Sequence, residues 1–291
     1  METVLKSATK EAVIGIGRPF LMIGEKINPT GSKKLAAALT EGNLDYARDL
    51  AVRQVAWGAD VLDVNVGVPG LDEVGVVKRL VELVAAAVDV PLCLDSGDPA
   101  VLAAGLAAAP GKPLVNSVSG EEKKLAAVLP LVKERGAAVI GLTMDDKGIP
   151  PTAEERVAVA EKILERAARL GIPAEDVLID PLVLTVGSDS KAALVTLQTI
   201  EILRKNLGVN INVGASNVSF GLPDRPTANQ TFLSLCIQAG ATCAITDPMK
   251  FGQTVRAADL LLGRDANAMR YIKYFRAAEK LREQEEAAKQ A

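Results

Sequence analysis

Eight short apolar runs recur along this chain, near 21–24, 60–64, 91–95, 113–116, 138–142, 177–180, 211–215 and 243–246. Each ends in a polar group, as in Ile23-Gly24-Glu25, Val61-Leu62-Asp63-Val64-Asn65, Leu178-Ile179-Asp180 and Val213-Gly214-Ala215-Ser216-Asn217. Near-continuous apolar runs of this length read as strands buried on both faces. Helix-like segments separate them, near 43–57, 74–88, 99–108, 121–134, 153–170, 190–206, 227–239 and 251–262. Strands that alternate with helices pair in parallel. Eight such units favour a closed (β/α)8 TIM barrel over an open doubly wound sheet of five or six strands.

The helix boundaries carry their own signals. Asp98-Pro99 places a capping carboxylate before proline at a first helical position. Ser119 with Glu122, and Thr152 with Glu155, have capping-box spacing. Gly58, Gly136, Gly171 and Gly240 follow helix patterns, where a C-terminal glycine belongs. The expected organisation is an N-terminal extension over 1–20 that caps the barrel base, a barrel over 21–263, and a charged helix or tail over 264–291. The run from Glu279 to Glu286 reads as a solvated helix, with a dimer contact as the alternative.

Composition narrows the function. At 49% hydrophobic and 24% charged residues, the 291-residue chain can bury a large core. A net charge of −3 argues against nucleic acid as a partner. No apolar run is long enough to span a bilayer and no secretory leader is evident, so no membrane association and a cytoplasmic location are expected. Cys93, Cys236 and Cys243 lack the spacing of a zinc or iron–sulfur site, and Cys93 reads as a small buried hydrophobe. The chain contains no histidine, which removes the commonest general base and metal ligand.

A ring of carboxylates and amides at strand ends permits several chemistries. A Schiff-base aldolase needs a desolvated lysine, and Lys26 and Lys250 sit just past their strands. A magnesium-dependent lyase would gather Asp63, Asp95, Asp180 and Glu25, but the interleaved Asn65, Asn116 and Asn217 suit neutral hydrogen bonding better. The loops after the last two strands are not glycine-rich phosphate cradles. A flat heteroaromatic ligand fits best: a carboxylate accepts two parallel N–H bonds from an amino-pyrimidinone edge, and an asparagine offers both donor and acceptor.

The same residues carry a resemblance. Ile23-Gly24-Glu25-Lys26-Ile27-Asn28, Asp63-Val64-Asn65-Val66-Gly67, Cys93-Leu94-Asp95-Ser96, Val115-Asn116-Ser117, Gly141-Leu142-Thr143-Met144, Ile179-Asp180-Pro181-Leu182 and Ser216-Asn217-Val218-Ser219, followed by Arg225-Pro226, lie in order at strand ends. From about 21 to 262 the chain resembles the pterin-binding barrel of the methyltetrahydrofolate:corrinoid methyltransferases. It is also similar to the folate domain of cobalamin-dependent methionine synthase, through Pro29-Thr30-Gly31-Ser32. It departs from dihydropteroate synthase in lacking a Ser-Phe-Ser-Asp-Gly type first loop, and in having Thr246-Asp247-Pro248 where that family carries Arg-x-His. A magnesium-dependent lyase or aldolase on the same barrel, or a dihydropteroate synthase-like enzyme, is the alternative reading.

The resemblance implies a methyltransferase working between N5 of tetrahydrofolate and the cobalt of a corrinoid (cobalamin) carried by a separate protein, with no metal bound by this chain. It implies that Asp95, Asn116 and Asp180 hold the pterin and that Asn217 lies beside N5, with Asn217 and Asp95 as the catalytic pair. Glu25, Gly214, Ser216 and Arg225 are implied wall positions, and Asp63 and Asn65 support the ring. The corrinoid protein is expected to dock at the barrel top, over loops 26–34, 66–73, 144–152 and 183–190, and the chain to form a homodimer.

Overall fold

The computed structural model describes the backbone of residues 1–290. An antiparallel hairpin comes first, β1 (Glu2–Lys6) and β2 (Glu11–Gly15). The barrel then begins with β3 (Leu21–Ile27), followed by α1 (Lys33–Thr40) and α2 (Asp45–Ala56). It continues as β4 (Val61–Val64), α3 (Glu73–Ala87), β5 (Leu92–Asp95), α4 (Pro99–Ala108), β6 (Leu114–Ser119) and α5 (Glu122–Arg135). Next come β7 (Ala138–Leu142), α6 (Ala153–Arg169), β8 (Val177–Asp180), α7 (Ala192–Ile202) and β9 (Asn212–Val213). The chain finishes with α8 (Arg225–Ala239), β10 (Cys243–Thr246), α9 (Pro248–Leu261) and α10 (Met269–Gln290).

The eight strands β3 to β10 form one sheet of order β8-β7-β6-β5-β4-β3-β10-β9, parallel throughout. The ring closes between β9 and β8 through a parallel bridge of Ile179 with Ile211, where Ile179 N donates to Asn210 O at 2.9 Å. The expected barrel is therefore the observed fold. No helix among the described residues is long and apolar enough to cross a membrane.

Period-two alternation sorts each strand into two faces. Outward residues such as Met22, Leu62, Leu94, Val115, Val139 and Ile179 join the layer between sheet and helices. Inward residues Leu21, Ile23, Val61, Cys93, Leu114, Ala138, Ile140, Leu178 and Cys243 form a separate inner cluster. Leu5 and Ile14 of the hairpin, both fully buried, complete that cluster from below. Burying such an aliphatic side chain contributes roughly 1.5–3 kcal/mol, so the hairpin is an integral floor of the barrel core.

The N-terminal 1–20 segment, expected as an extension at the barrel base, contains this hairpin. Two differences from sequence expectation are local. Ser119 does not open a capping box with Glu122; it ends β6 and its Oγ donates to Glu121, which itself takes the N-cap position. The Thr152–Glu155 box does form. The acidic C-terminal run is helical and mostly exposed, but it is docked rather than loose, because Glu285 accepts from Arg53 and from Trp57 Nε1. Tyr274 of α10 seats where Gly58 and Gly252 leave room; a Cβ on Gly252 would lie 2.0 Å from the Tyr274 hydroxyl.

Candidate active site

The inner layer changes character abruptly along each strand. Two residues beyond Ile23, Val61, Cys93, Leu114 and Leu178 stand Glu25, Asp63, Asp95, Asn116 and Asp180. The same step from Ile140, Asn212 and Cys243 reaches Leu142, Gly214 and Ile245. All eight line one cavity of about 900 Å3 at the C-terminal end of the barrel. The hydrophobic layer thus seals the floor, and the next layer up presents three carboxylates and an amide beside two aliphatic side chains, with Glu25 at the edge.

This corrects the sequence reading of an all-polar ring. Thr143 and Thr246 are fully buried and do not line the cavity; their neighbours Leu142 and Ile245 do. A site with hydrogen-bonding groups on some sectors and aliphatic surface on others suits a flat ring with a polar edge and apolar faces.

The polar groups are tied together in pairs. Asn65 Nδ2 donates to Asp95 Oδ2 at 2.9 Å, and Asn28 Nδ2 reaches the same oxygen at 3.4 Å. Asn116 Nδ2 donates to Asp63 Oδ1 at 3.2 Å. Asn212 Nδ2 donates to Asp180 Oδ2 at 2.7 Å, and Leu182 N to Asp180 Oδ1 at 2.9 Å. Asn65 supports Asp95 without lining the cavity itself.

Burial raises all three carboxyls above the usual range. Asp63 is 2% exposed, and desolvation with the neighbouring Asp95 charge pushes it up to about 8. Asp95 is raised by burial and held back by its Asn65 bond. Burial of two neighbouring carboxyls favours keeping a proton on the Asp63–Asp95 pair. Burial raises Asp180 to about 6 against the opposing pull of Leu182 N–H, Asn212 and Arg156.

Glu25 owes its place to a bulge. The β3–β4 register shifts between Gly24 and Ile27, and Lys26 N donates instead to Gln54 Oε1 of α2 at 2.8 Å. Bulges re-aim side chains beside active sites. Lys26 Nζ lies 2.9 Å from Asp247 Oδ2 and 3.7 Å from Glu25 Oε1. An ion-paired, one-third-exposed lysine does not match the desolvated amine that a Schiff base needs.

Asn217 sits on a short 3-10 turn, Ala215–Ser219, and its side chain makes no hydrogen bond among the described residues. Arg225 fastens that turn: Nη2 donates to Ser216 O at 2.9 Å, Nε to Ser219 Oγ at 3.1 Å, and its guanidinium stacks 4.7 Å from the Phe220 ring centroid. It pairs neither with Asp224 nor with a barrel carboxylate. Tyr46, Leu50, Ile149, Leu182, Val183 and Leu184 supply apolar wall.

Every predicted site residue except Asn65 lines the cavity. Residues not singled out for the site include Asn28, which lines the cavity beside Asp95, and Asn212, Gln54 and Arg156, which act on the lining from behind it. Asn212 was legible in principle: it stands two positions before Gly214, on the inward register of β9.

The fold and this cavity define a (β/α)8-barrel protein whose binding site is built on strand C-termini from carboxylates, amides and aliphatic side chains. The chain belongs to the pterin binding enzyme family, whose family model matches residues 24–247. It is 34% identical over 265 residues to methylcorrinoid:tetrahydrofolate methyltransferase of Eubacterium limosum, covering 88% of this chain and 96% of the relative. It is likewise 34% identical over 243 residues to methionine synthase of Mycobacterium tuberculosis, covering 79% of this chain but only 20% of that larger protein. Among solved structures, dihydropteroate synthase from Xanthomonas albilineans superposes with a TM-score of 0.70 at 22% identity, covering 89% of this chain and 98% of that one. At that identity the likeness speaks for the fold.

Proposed function

We propose that this chain is a methyltransferase that moves a methyl group between N5 of tetrahydrofolate and the cobalt of a corrinoid held by a separate protein. The observation that carries the reading is the polar layer above that apolar floor. Three carboxylates, each accepting a bond from an asparagine side chain, stand at strand ends in a chain similar along nearly its whole length to a methylcorrinoid:tetrahydrofolate methyltransferase.

Asp180 and Asp95 accept the N–H groups of the amino-pyrimidinone edge, and Asn116 supplies both donor and acceptor. Leu142 and Ile245 pack against the ring. The ring must be held in one orientation because the reacting methyl group has to face the open end, where the corrinoid protein arrives. Glu25, Gly214 and Ser216 form the surrounding wall. Arg225 acts through the turn it fastens, which places Asn217 at N5.

The reduced corrinoid supplies the electron pair that forms the cobalt–carbon bond as the carbon–N5 bond breaks. N5 keeps the electron pair of the broken bond and gains a proton. A tertiary amine leaves poorly unless that proton, or a strong hydrogen bond, develops in the transition state. Asn217 presents its amide to N5, free of competing protein bonds. An amide cannot donate a full proton at neutral pH, so the buried Asp63–Asp95 pair, both carboxyls raised, holds the proton and a relay through water delivers it. The same groups serve the reverse direction.

The test mixes 5-methyltetrahydrofolate, free cob(I)alamin and the protein, and follows the corrinoid visible spectrum. Conversion to methylcobalamin that depends on the chain supports the reading. Absence of conversion, together with no calorimetric folate binding, refutes it.

A further inference from the structure

Arg156 is among the largest fully buried side chains in the molecule, 2% exposed, and has no carboxylate within ion-pair distance. It stands in the first turn of α6, behind the cavity wall. Its Nε donates to Pro150 O at 3.0 Å, and Nη1 donates to Pro181 O and Leu182 O at 2.8 Å each. One guanidinium thereby ties the β7–α6 loop to the turn that follows β8.

That turn is unusual. Leu182 has a φ of +61°, a left-handed conformation that a branched side chain rarely adopts. Thr196 Oγ1 binds the same carbonyl at 3.0 Å. With its carbonyl pinned, Leu182 aims its N–H at Asp180 Oδ1, while Asn212 occupies Oδ2. Both oxygens of Asp180 are thus oriented, one of them through a backbone geometry that Arg156 holds.

We propose that Arg156 is a positioning residue for folate: it locks the Leu182 turn and so fixes the Asp180 carboxylate toward the bound ring. The proposal rests on the folate-binding reading above. A neutral donor could satisfy three carbonyls, whereas a buried guanidinium without a contacting counter-ion is costly to maintain. The charge that acts on it is that of Asp180. The remaining titratable groups that act with Asp180 are the thiols Cys236 of α8 and Cys243 of β10, which burial keeps neutral.

The experiment compares Arg156→Lys and Arg156→Gln with wild type. Calorimetry measures tetrahydrofolate affinity from pH 5 to 8, and carbon-13 NMR follows the Asp180 carboxyl in the ligand-free protein. We expect affinity at pH 7 to fall by about fivefold or more and the Asp180 midpoint to rise by roughly half a pH unit, further in Arg156→Gln. Methyl transfer at saturating folate should change less than about threefold, because Arg156 touches no reacting atom. Folded variants whose affinity and Asp180 midpoint match wild type overturn the proposal, even if they melt earlier. Should Arg156→Gln not fold, Arg156→Lys decides. A wild-type chain that binds no tetrahydrofolate overturns the functional reading, while the ligand-free Asp180 midpoint still judges Arg156.

Discussion

Replacing Gly24 by alanine tests how the bulge that aims Glu25 is held. A Cβ there would lie 2.6 Å from Gln54 Oε1 and 3.1 Å from both Gln54 Cδ and Leu62 Cδ2. Gln54 is fully buried, so it cannot swing into solvent, and Leu62 belongs to the packed outer face of β4. Overpacking of this kind costs roughly 1–3 kcal/mol. Displacing Gln54 also strips Lys26 N of its acceptor, and an unsatisfied partly buried N–H adds about 1–3 kcal/mol. The total, roughly 2–6 kcal/mol, is readable in urea or thermal unfolding. In a Gln54→Ala background the clash with the amide is absent, only the tight contact with Leu62 remains, and Lys26 N is already unpaired. Gly24→Ala should then cost about 1 kcal/mol, giving a coupling of roughly 1–5 kcal/mol between the two sites. Additivity within about 0.5 kcal/mol would falsify the clash-and-bond account. The single variant should also bind folate more weakly, since Glu25 and Lys26 follow Gly24 around the bulge.

Further outcomes follow from the same geometry. Asn217→Ala should slow methyl transfer by one to two orders of magnitude, about the worth of a lost 1–3 kcal/mol bond, in stopped-flow measurements; rates within twofold of wild type would remove Asn217 from N5. Gly214→Ala puts a Cβ 3.3 Å from Asn217 Nδ2, an exposed amide that can yield, so the melting temperature should hold while the transfer rate drops. Asp180 is raised from 3.8 to about 6 in the fold, so its contribution to stability is present below about pH 4 and lost as pH rises through about 6. Asp180→Asn should therefore gain on wild type by up to about 3 kcal/mol in urea unfolding between pH 4 and 7, while folate affinity falls; a constant difference across that range would contradict a buried, ionising Asp180. Arg225→Ala should raise the folate KM and lower kcat together, because the Ser216–Phe220 turn loses its clasp, with no new dependence on the pH of Asp180.

The barrel was legible because alternation is a local property. Ile23 and Glu25, Val61 and Asp63, Cys93 and Asp95, Leu114 and Asn116, and Leu178 and Asp180 are each two residues apart, and a strand must send both to one face. The position of the polar layer above the apolar one is therefore written in the chain. At β7 and β10 the last polar residues, Thr143 and Thr246, are off that register and fully buried. One step of register puts Leu142 and Ile245 in the cavity instead. The hairpin over Glu2–Gly15 escaped notice because its value lies in Leu5 and Ile14, two residues whose partners are the barrel's own inner layer.

Sequence by itself determined the number of βα units, the parallel closure they demand, the strand ends that carry carboxylates and amides, and the family to which they point. Tertiary structure decided which groups brace which: Asn212 to Asp180, Asn65 and Asn28 to Asp95, Gln54 to the bulge before Glu25, Arg156 to the Leu182 turn, and Arg225 to the turn of Asn217 rather than to Asp224. The physical reason is range. Alternation, capping and propensity act over a few residues along the chain. Desolvation of a carboxylate, and the choice of its donor, depend on side chains from other strands and helices that meet only when the barrel closes.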